Sequence, residues 1–86
     1  MLAWGTLLLS LSSCGPIVDF TATPTSGEAP LDVLFDNHTR KADRIEWDFG
    51  DGHHSALAEP AHRYRLSGAY TVELRAWKGR RMRSRR

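Results

Sequence analysis

The stretch Trp47-Asp48-Phe49-Gly50-Asp51-Gly52 is the most informative part of this 86-residue sequence. Its two aromatic residues lie two positions apart, so an extended strand places both rings on one face, where each contributes about 2–3 kcal/mol on full burial. Its two glycines allow a sharp turn directly after the strand, and its two aspartates are suited to accept hydrogen bonds from main-chain N–H groups there. The segment therefore predicts a buried strand that ends in a tight turn.

Short runs in which apolar and polar residues alternate occur along most of the remaining chain. Together with the strand just described, these runs cover residues 17–23, 31–37, 44–49, 61–65 and 69–77, with a loop or weak edge strand at 53–60. Alternation is the period of a β-strand, and Pro, Gly and Asp separate the runs, whereas no window has the period of a helix. The sequence therefore predicts an all-β fold, an immunoglobulin-like β-sandwich.

The length of the chain and its content of cysteine exclude other classes of protein. A chain of 86 residues has room for one small domain, which excludes an ordinary multi-domain enzyme. No stretch approaches the roughly 20 apolar residues of a membrane-spanning helix. The single cysteine, Cys14, has no partner for a disulfide within the chain.

The segment 47–52 resembles the signature of the PKD domain, a module common in secreted and surface proteins. Five further blocks agree with that family in order, at residues 20–24, 27–31, 33–37, 60–64 and 68–74. The resemblance assigns residues 15–77 to a PKD domain and implies an immunoglobulin-like sandwich. It also implies a structural role for His62, which precedes Tyr64 in the family pattern. Tyr70 follows Gly68 at the position of a tyrosine corner, whose hydroxyl bonds back to a loop.

The first 14 residues are predicted to be a signal peptide rather than part of the domain. They carry no charged side chain, contain an apolar run centred on residues 7–9, and end in Leu11-Ser12-Ser13-Cys14. This ending resembles the lipobox of bacterial lipoproteins. The resemblance implies that Cys14 is lipidated and becomes the first residue of an exported protein held on the membrane surface or cell surface. The alternative is a buried strand or helix with Cys14 as an inert core thiol.

The last nine residues differ sharply from the rest of the chain. Residues 78–86 hold six of the twelve basic residues and no acidic one, while the remainder has a net charge of −4. Met82 is their single apolar residue, so no alternating strand can be read and a disordered basic tail is predicted. The sandwich would then lack its last strand. A truncated or frame-disrupted chain, a strand donated by a partner and a genuine basic arm all remain open.

Residue types that perform catalysis are present without the context that catalysis requires. Ser55 and Ser67 have no recognisable nucleophile motif, and Cys14 belongs to the lipobox-like segment. We therefore expect no enzyme activity, no catalytic residue and no cofactor.

The histidines and aspartates of the sequence do not form a recognisable metal-binding pattern. His53 and His54 are adjacent, so on a strand they point to opposite faces, and with His62 they match no known ligand spacing. Asp48 and Asp51 lack the Asp-x-Asp-x-Asp spacing of a calcium loop. The sequence therefore predicts no metal site.

Trp77 is the most distinctive residue expected on the surface, because it lies on the outward face of its strand. Exposed tryptophans bind partners, although Trp77 would otherwise cover an edge or pack on the tail arginines. The prediction is a non-catalytic, surface-anchored module that contacts protein or polysaccharide or acts as a spacer, with no nucleic acid as partner. Two alternatives stay open: the N-terminal fragment of a larger exported hydrolase, and a basic-tailed surface protein that binds anionic polymer.

Overall fold

A computed structural model describes residues 15–86, and within them the chain forms two antiparallel sheets. The strands are β1 (Phe20–Thr23), β2 (Leu31–Asn37), β3 (Arg44–Asp48), β4 (His54–Ser55), β5 (Ala61–Tyr64), β6 (Glu73–Lys78) and β7 (Arg81–Arg85). One sheet has the order β1-β2-β5 and the other the order β4-β3-β6-β7. The prediction of an all-β sandwich is confirmed. The predicted signal peptide and Cys14 lie outside the described residues, in which no helix is long and apolar enough to cross a membrane.

The core lies between the two sheets and is built by the alternating residues that the sequence indicates. The buried members come from both sheets: Val33, Phe35 and Tyr64 from the first, and Trp47, Phe49 and Leu74 from the second. In β2 every second side chain points inward, so Val33 and Phe35 are buried while Leu34 between them is 60% exposed. The two faces therefore meet as a single cluster of apolar side chains.

Aromatic rings fill the centre of this core. The indole of Trp47 has no exposed surface; it packs edge-on against Phe20 at 5.1 Å and lies 5.3 Å from Phe35, both measured between ring centroids. Its Nε1–H donates a hydrogen bond of 2.8 Å to the main-chain oxygen of Leu57. The largest side chain of the core is thus buried without leaving its polar atom unpaired.

The prediction that residues 78–86 form a disordered tail is wrong, because Arg81–Arg85 forms β7 and closes the four-stranded sheet. The strand pairs with β6 from Lys78↔Arg81 to Leu74↔Arg85. Gly79 opens the two-residue turn between them with φ 59°, a conformation suited to glycine at the first central position of a type II′ hairpin. The sandwich therefore does not lack its last strand.

The pattern of residues does not reveal β7 because this strand lies at the edge of the sheet and is exposed along its whole length. Apolar and polar residues alternate along a strand when one of its faces is buried. A strand that buries neither face does not require this alternation. Its pairing instead follows from the tight turn at Gly79. The carboxylate of Asp43 supports that turn, since it accepts hydrogen bonds from the main-chain N–H of Gly79 at 2.9 Å and from Lys78 at 3.3 Å.

The strand predicted at 69–77 is shorter than expected at its start, because β6 begins only at Glu73. Its neighbour β3 ends at Asp48, which pairs with Glu73, and then turns away at Gly50. Tyr70 and Val72 still pack against the core, as the alternation indicates, but the segment before Glu73 belongs to no strand ladder.

Candidate functional site

The turn after β3 is organised by its two aspartates. Asp48 accepts a hydrogen bond from the main-chain N–H of Gly50 at 3.0 Å, and Asp51 accepts one from that of His53 at 3.1 Å. Gly50 has φ 81°, and a Cβ atom there would meet the main-chain oxygen of Thr71 at 2.4 Å. Only glycine fits this position, which lets the turn press against the segment that leads into β6.

Asp51 also binds His62, a residue of the opposite sheet. The Nε2 atom of His62 lies 2.6 Å from Asp51 Oδ2, and the two side chains are only 14% and 16% exposed. Burial opposes the ionisation of Asp51, but the hydrogen bonds from His62 and from the main-chain N–H of His53 outweigh it and lower the pKa of Asp51. The interaction joins the turn of the four-stranded sheet to β5 of the three-stranded sheet.

The ring of His62 is held by the core. It stacks on Phe49 with 4.3 Å between ring centroids and 5° between planes, and Tyr64 meets it edge-on at 4.7 Å. Its Nε2 atom is thereby directed at the carboxylate of Asp51.

His53 completes this group, which the sequence analysis did not identify. Its Nδ1 atom lies 3.3 Å from Asp51 Oδ1, and its side chain is 73% exposed. Asp51, His53 and His62 each offer one atom that could bind a metal ion, and these three atoms lie within 4.8 Å of one another. The signal available in the sequence was the Asp51-x-His53 spacing within a glycine-containing turn, which keeps two potential ligands close together along the chain.

Two tyrosines close the end of the sandwich next to this group. Tyr64 is buried and donates a hydrogen bond of 2.9 Å to the main-chain oxygen of Phe49, and its burial raises its pKa to about 12. Tyr70 stacks on Tyr64 at 4.5 Å and donates a hydrogen bond of 2.6 Å to the main-chain oxygen of Leu66. A Cβ atom at Gly68 would lie 3.5 Å from the Tyr70 hydroxyl oxygen. These contacts tie the loop before β6 to the core.

Trp77 lies on the outer face of the four-stranded sheet, where it is partly exposed. Arg44 on β3 and Met82 on β7 are its direct partners across the two neighbouring strands, so the three side chains form one row. The guanidinium carbon of Arg44 lies 3.9 Å from the centroid of the Trp77 ring. The cation that packs on Trp77 is therefore Arg44 of the sandwich rather than an arginine of the C-terminal segment.

Arginines concentrate at the hairpin of β6 and β7. Arg85 lies 3.8 Å from Asp19 and Arg86 lies 3.8 Å from Glu73. Within residues 15–86, the side chains of Arg80, Arg81 and Arg83 have no carboxylate within 4.0 Å. This end of the sheet is thus a locally basic surface.

Comparison with known proteins agrees with the architecture. A family model described as PKD domain matches residues 14–84, which is most of the chain and includes nearly all of β7. No curated protein matches the chain.

Proposed function

The chain belongs to the PKD domain family, and we propose that it serves as an exported, lipid-anchored, non-catalytic module that contacts protein or polysaccharide through the outer face of its four-stranded sheet. PKD domains are typically non-catalytic β-sandwich modules and are common in extracellular proteins. The contact face and the anchor each rest on a separate feature of the chain.

The row of Arg44, Trp77 and Met82 carries the proposal for the contact face. Tryptophan and arginine dominate the energetics of protein interfaces, and methionine adapts its shape to varied partners. Here all three lie side by side on a sheet face whose other residues are mostly charged. Because the Arg44 guanidinium lies over one face of the Trp77 ring, a sugar ring or a protein side chain would contact the remaining exposed surface of the indole and the neighbouring Met82.

The anchor is supported by the position at which the domain begins, directly after Cys14. Gly15 and Pro16 are already buried, and Ile17 exchanges two main-chain hydrogen bonds of 2.9 Å with Arg40. If Cys14 carries the lipid, as the Leu11–Cys14 pattern predicts, the sandwich is attached with almost no tether. Two or more acyl chains would then hold it firmly against the membrane.

Binding to insoluble polysaccharides tests the contact face. The purified full chain is incubated with chitin, cellulose and peptidoglycan, and the bound fraction is measured. We expect binding to at least one of them, reduced about tenfold or more by Trp77→Ala. Leu34→Ala is the matched control, because Leu34 is an exposed apolar residue on the outer face of the other sheet. Equal binding by wild type and Trp77→Ala would exclude this face, and thermal melts verify that both variants fold.

Labelling with palmitate tests the anchor independently. Expressed with its N-terminus in a bacterium, the chain should incorporate the label, and Cys14→Ser should abolish incorporation and release the domain from membranes. Absence of label in the wild type would refute the anchor while leaving the contact face untouched.

A second candidate function follows from the exposed arginines at the hairpin. Arg80, Arg81 and Arg83 could bind the phosphate or sulfate groups of an anionic polymer through charge-assisted hydrogen bonds. Replacing all three by Ser keeps β7 paired through its main chain, so loss of heparin affinity in this variant would support the candidate. Unchanged retention on heparin would rule it out.

A further inference from the structure

Three potential metal ligands converge from the two sheets of the sandwich. Asp51 and His53 lie in the turn that joins β3 and β4 of the four-stranded sheet. His62 lies on β5 of the three-stranded sheet. Their donor atoms all fall within 4.8 Å of one another, although His62 is eleven residues from Asp51 in the chain.

Two distances in this group, each to a different carboxylate oxygen of Asp51, can be compared with those of a tetrahedral metal site. Bonds of about 2.0–2.1 Å place neighbouring ligand atoms of zinc roughly 3.3 Å apart. His53 Nδ1 and Asp51 Oδ1 are 3.3 Å apart, whereas His62 Nε2 and Asp51 Oδ2 are 2.6 Å apart. Insertion of an ion therefore requires the second pair to open by less than 1 Å.

We propose that Asp51, His53 and His62 bind a divalent transition-metal ion of the zinc class. Two imidazoles with one carboxylate favour zinc, nickel or copper over calcium, which prefers six to eight oxygen ligands. Three protein ligands leave one position of a tetrahedral ion for water. This function lies beyond the proposed surface contact, which uses a different face of the molecule.

The ligands differ in exposure in a way that suits metal capture. Stacking on Phe49 orients His62, and the main-chain N–H of His53 holds the Asp51 carboxylate, so two donors are already in place. His53 is 73% exposed and can swing aside to admit the ion before it closes the site. A site with prearranged donors loses less conformational entropy on binding.

An ion at this site would join the two sheets by metal–ligand bonds. A chain of this size buries only about 60–65% of the surface of its unfolded form, and small domains commonly add a metal to a thin core. An ion that binds only the folded state stabilises it by mass action. The hydrogen bond between His62 and Asp51 makes the same connection between the turn and β5.

Titration of the full chain with Zn²⁺ tests the proposal. Calorimetry should give one ion per chain, the melting temperature should rise with added Zn²⁺, and NMR signals of His53 and His62 should shift together. The variant His53→Ala should bind at least about tenfold more weakly and lose the rise in melting temperature. It keeps the hydrogen bond between Asp51 and His62, so the fold is not at risk.

The variant His54→Ala is the matched control. His54 is the adjacent exposed histidine, it lies outside the cluster, and both variants retain Cys14 as an alternative ligand. We expect His54→Ala to bind Zn²⁺ as the wild type does. The proposal is overturned if the wild type does not bind Zn²⁺, if both variants weaken binding equally, or if the shifted signals belong to residues outside the cluster.

Discussion

Trp47 is the residue on which most of the core depends. Its ring contacts aromatic side chains of both sheets, and its Nε1–H is satisfied by a main-chain oxygen in the loop after β4. Removal of the indole would leave a large cavity and an unpaired carbonyl group. Nearby side chains come from short strands that are already paired, so they have little freedom to collapse into the space.

We expect Trp47→Ala to lower the free energy of unfolding by about 3–5 kcal/mol, which is most of the stability of a domain this small. Urea denaturation followed by circular dichroism measures the loss. Leu57→Ala is the control, because Leu57 is 67% exposed and the variant keeps the main-chain oxygen that accepts the indole hydrogen bond. A cooperative transition at the wild-type midpoint in Trp47→Ala would contradict the core assignment.

Asp51 makes stability depend on pH. Burial disfavours its charge, but the hydrogen bonds from His62 and from the His53 amide prevail and lower its pKa below that of an unfolded aspartate, about 3.9. The folded state is then stabilised by the carboxylate above that value. This contribution is lost as pH falls through the lowered pKa of the folded state.

The variant Asp51→Asn should therefore lose about 1–2 kcal/mol at pH 7, and its difference from the wild type should shrink as the pH is lowered to 3. Urea denaturation across this range, in the presence of a chelator, gives the difference. Asp36→Asn provides a comparison at an exposed aspartate of β2. A gap for Asp51→Asn that stays constant between pH 7 and pH 3 would show that its ionisation is not coupled to folding.

At the scale of elements, β7 protects the edge of β6. It covers five positions of β6 through main-chain pairing. The cations Arg81, Arg83 and Arg85 lie on the sheet face that also carries Leu74 and Ala76, and charges on an edge strand discourage the addition of another chain at its free edge. The strand thus completes the sheet by hydrogen bonds while contributing little to the core.

A chain that ends at Lys78 should be destabilised and prone to associate through the exposed edge of β6. We expect a loss of about 2 kcal/mol or more, equivalent to a fall of roughly 8 °C or more in melting temperature for a domain of this size. Thermal melts and sedimentation velocity measure the two effects. The full chain with Lys at positions 81, 83 and 85 keeps the pairing and should match the wild type. A truncated chain that melts like the full one would show that β7 is dispensable.

At the scale of the whole molecule, both sheets share one core, so neither can unfold alone. Val33 belongs to the three-stranded sheet and Leu74 to the four-stranded sheet, yet both are buried in the same cluster. We expect Val33→Ala and Leu74→Ala each to shift one common transition, by about 2–5 kcal/mol for Leu74→Ala.

Coincident midpoints from far-ultraviolet circular dichroism and tryptophan fluorescence would verify this cooperativity. Leu34→Ala, at an exposed position beside Val33, should leave the midpoint unchanged. Two separate transitions in either core variant would mean that the sheets are independent.

Much of the fold of this protein can be predicted from local features of its sequence. The alternation of β2 and β3, the aromatic pair of Trp47 and Phe49 and the aspartate-capped turn are local features, because side-chain direction in a strand repeats every two residues. They predicted the class of fold, most of the core and its turns. The resemblance to related sandwiches likewise implied that the hydroxyl of Tyr70, two residues after Gly68, bonds back to a loop.

The tertiary structure decided what depends on partners distant in the chain. The strand β7 exists because Gly79 turns it onto β6, and its own residues carry no buried face to reveal it. The group of Asp51, His53 and His62 exists because the packing of two sheets brings β5 against the turn after β3. Side-chain alternation reports which residues are buried. It does not report which strand or side chain lies opposite, and both the edge strand and the proposed metal site depend on that.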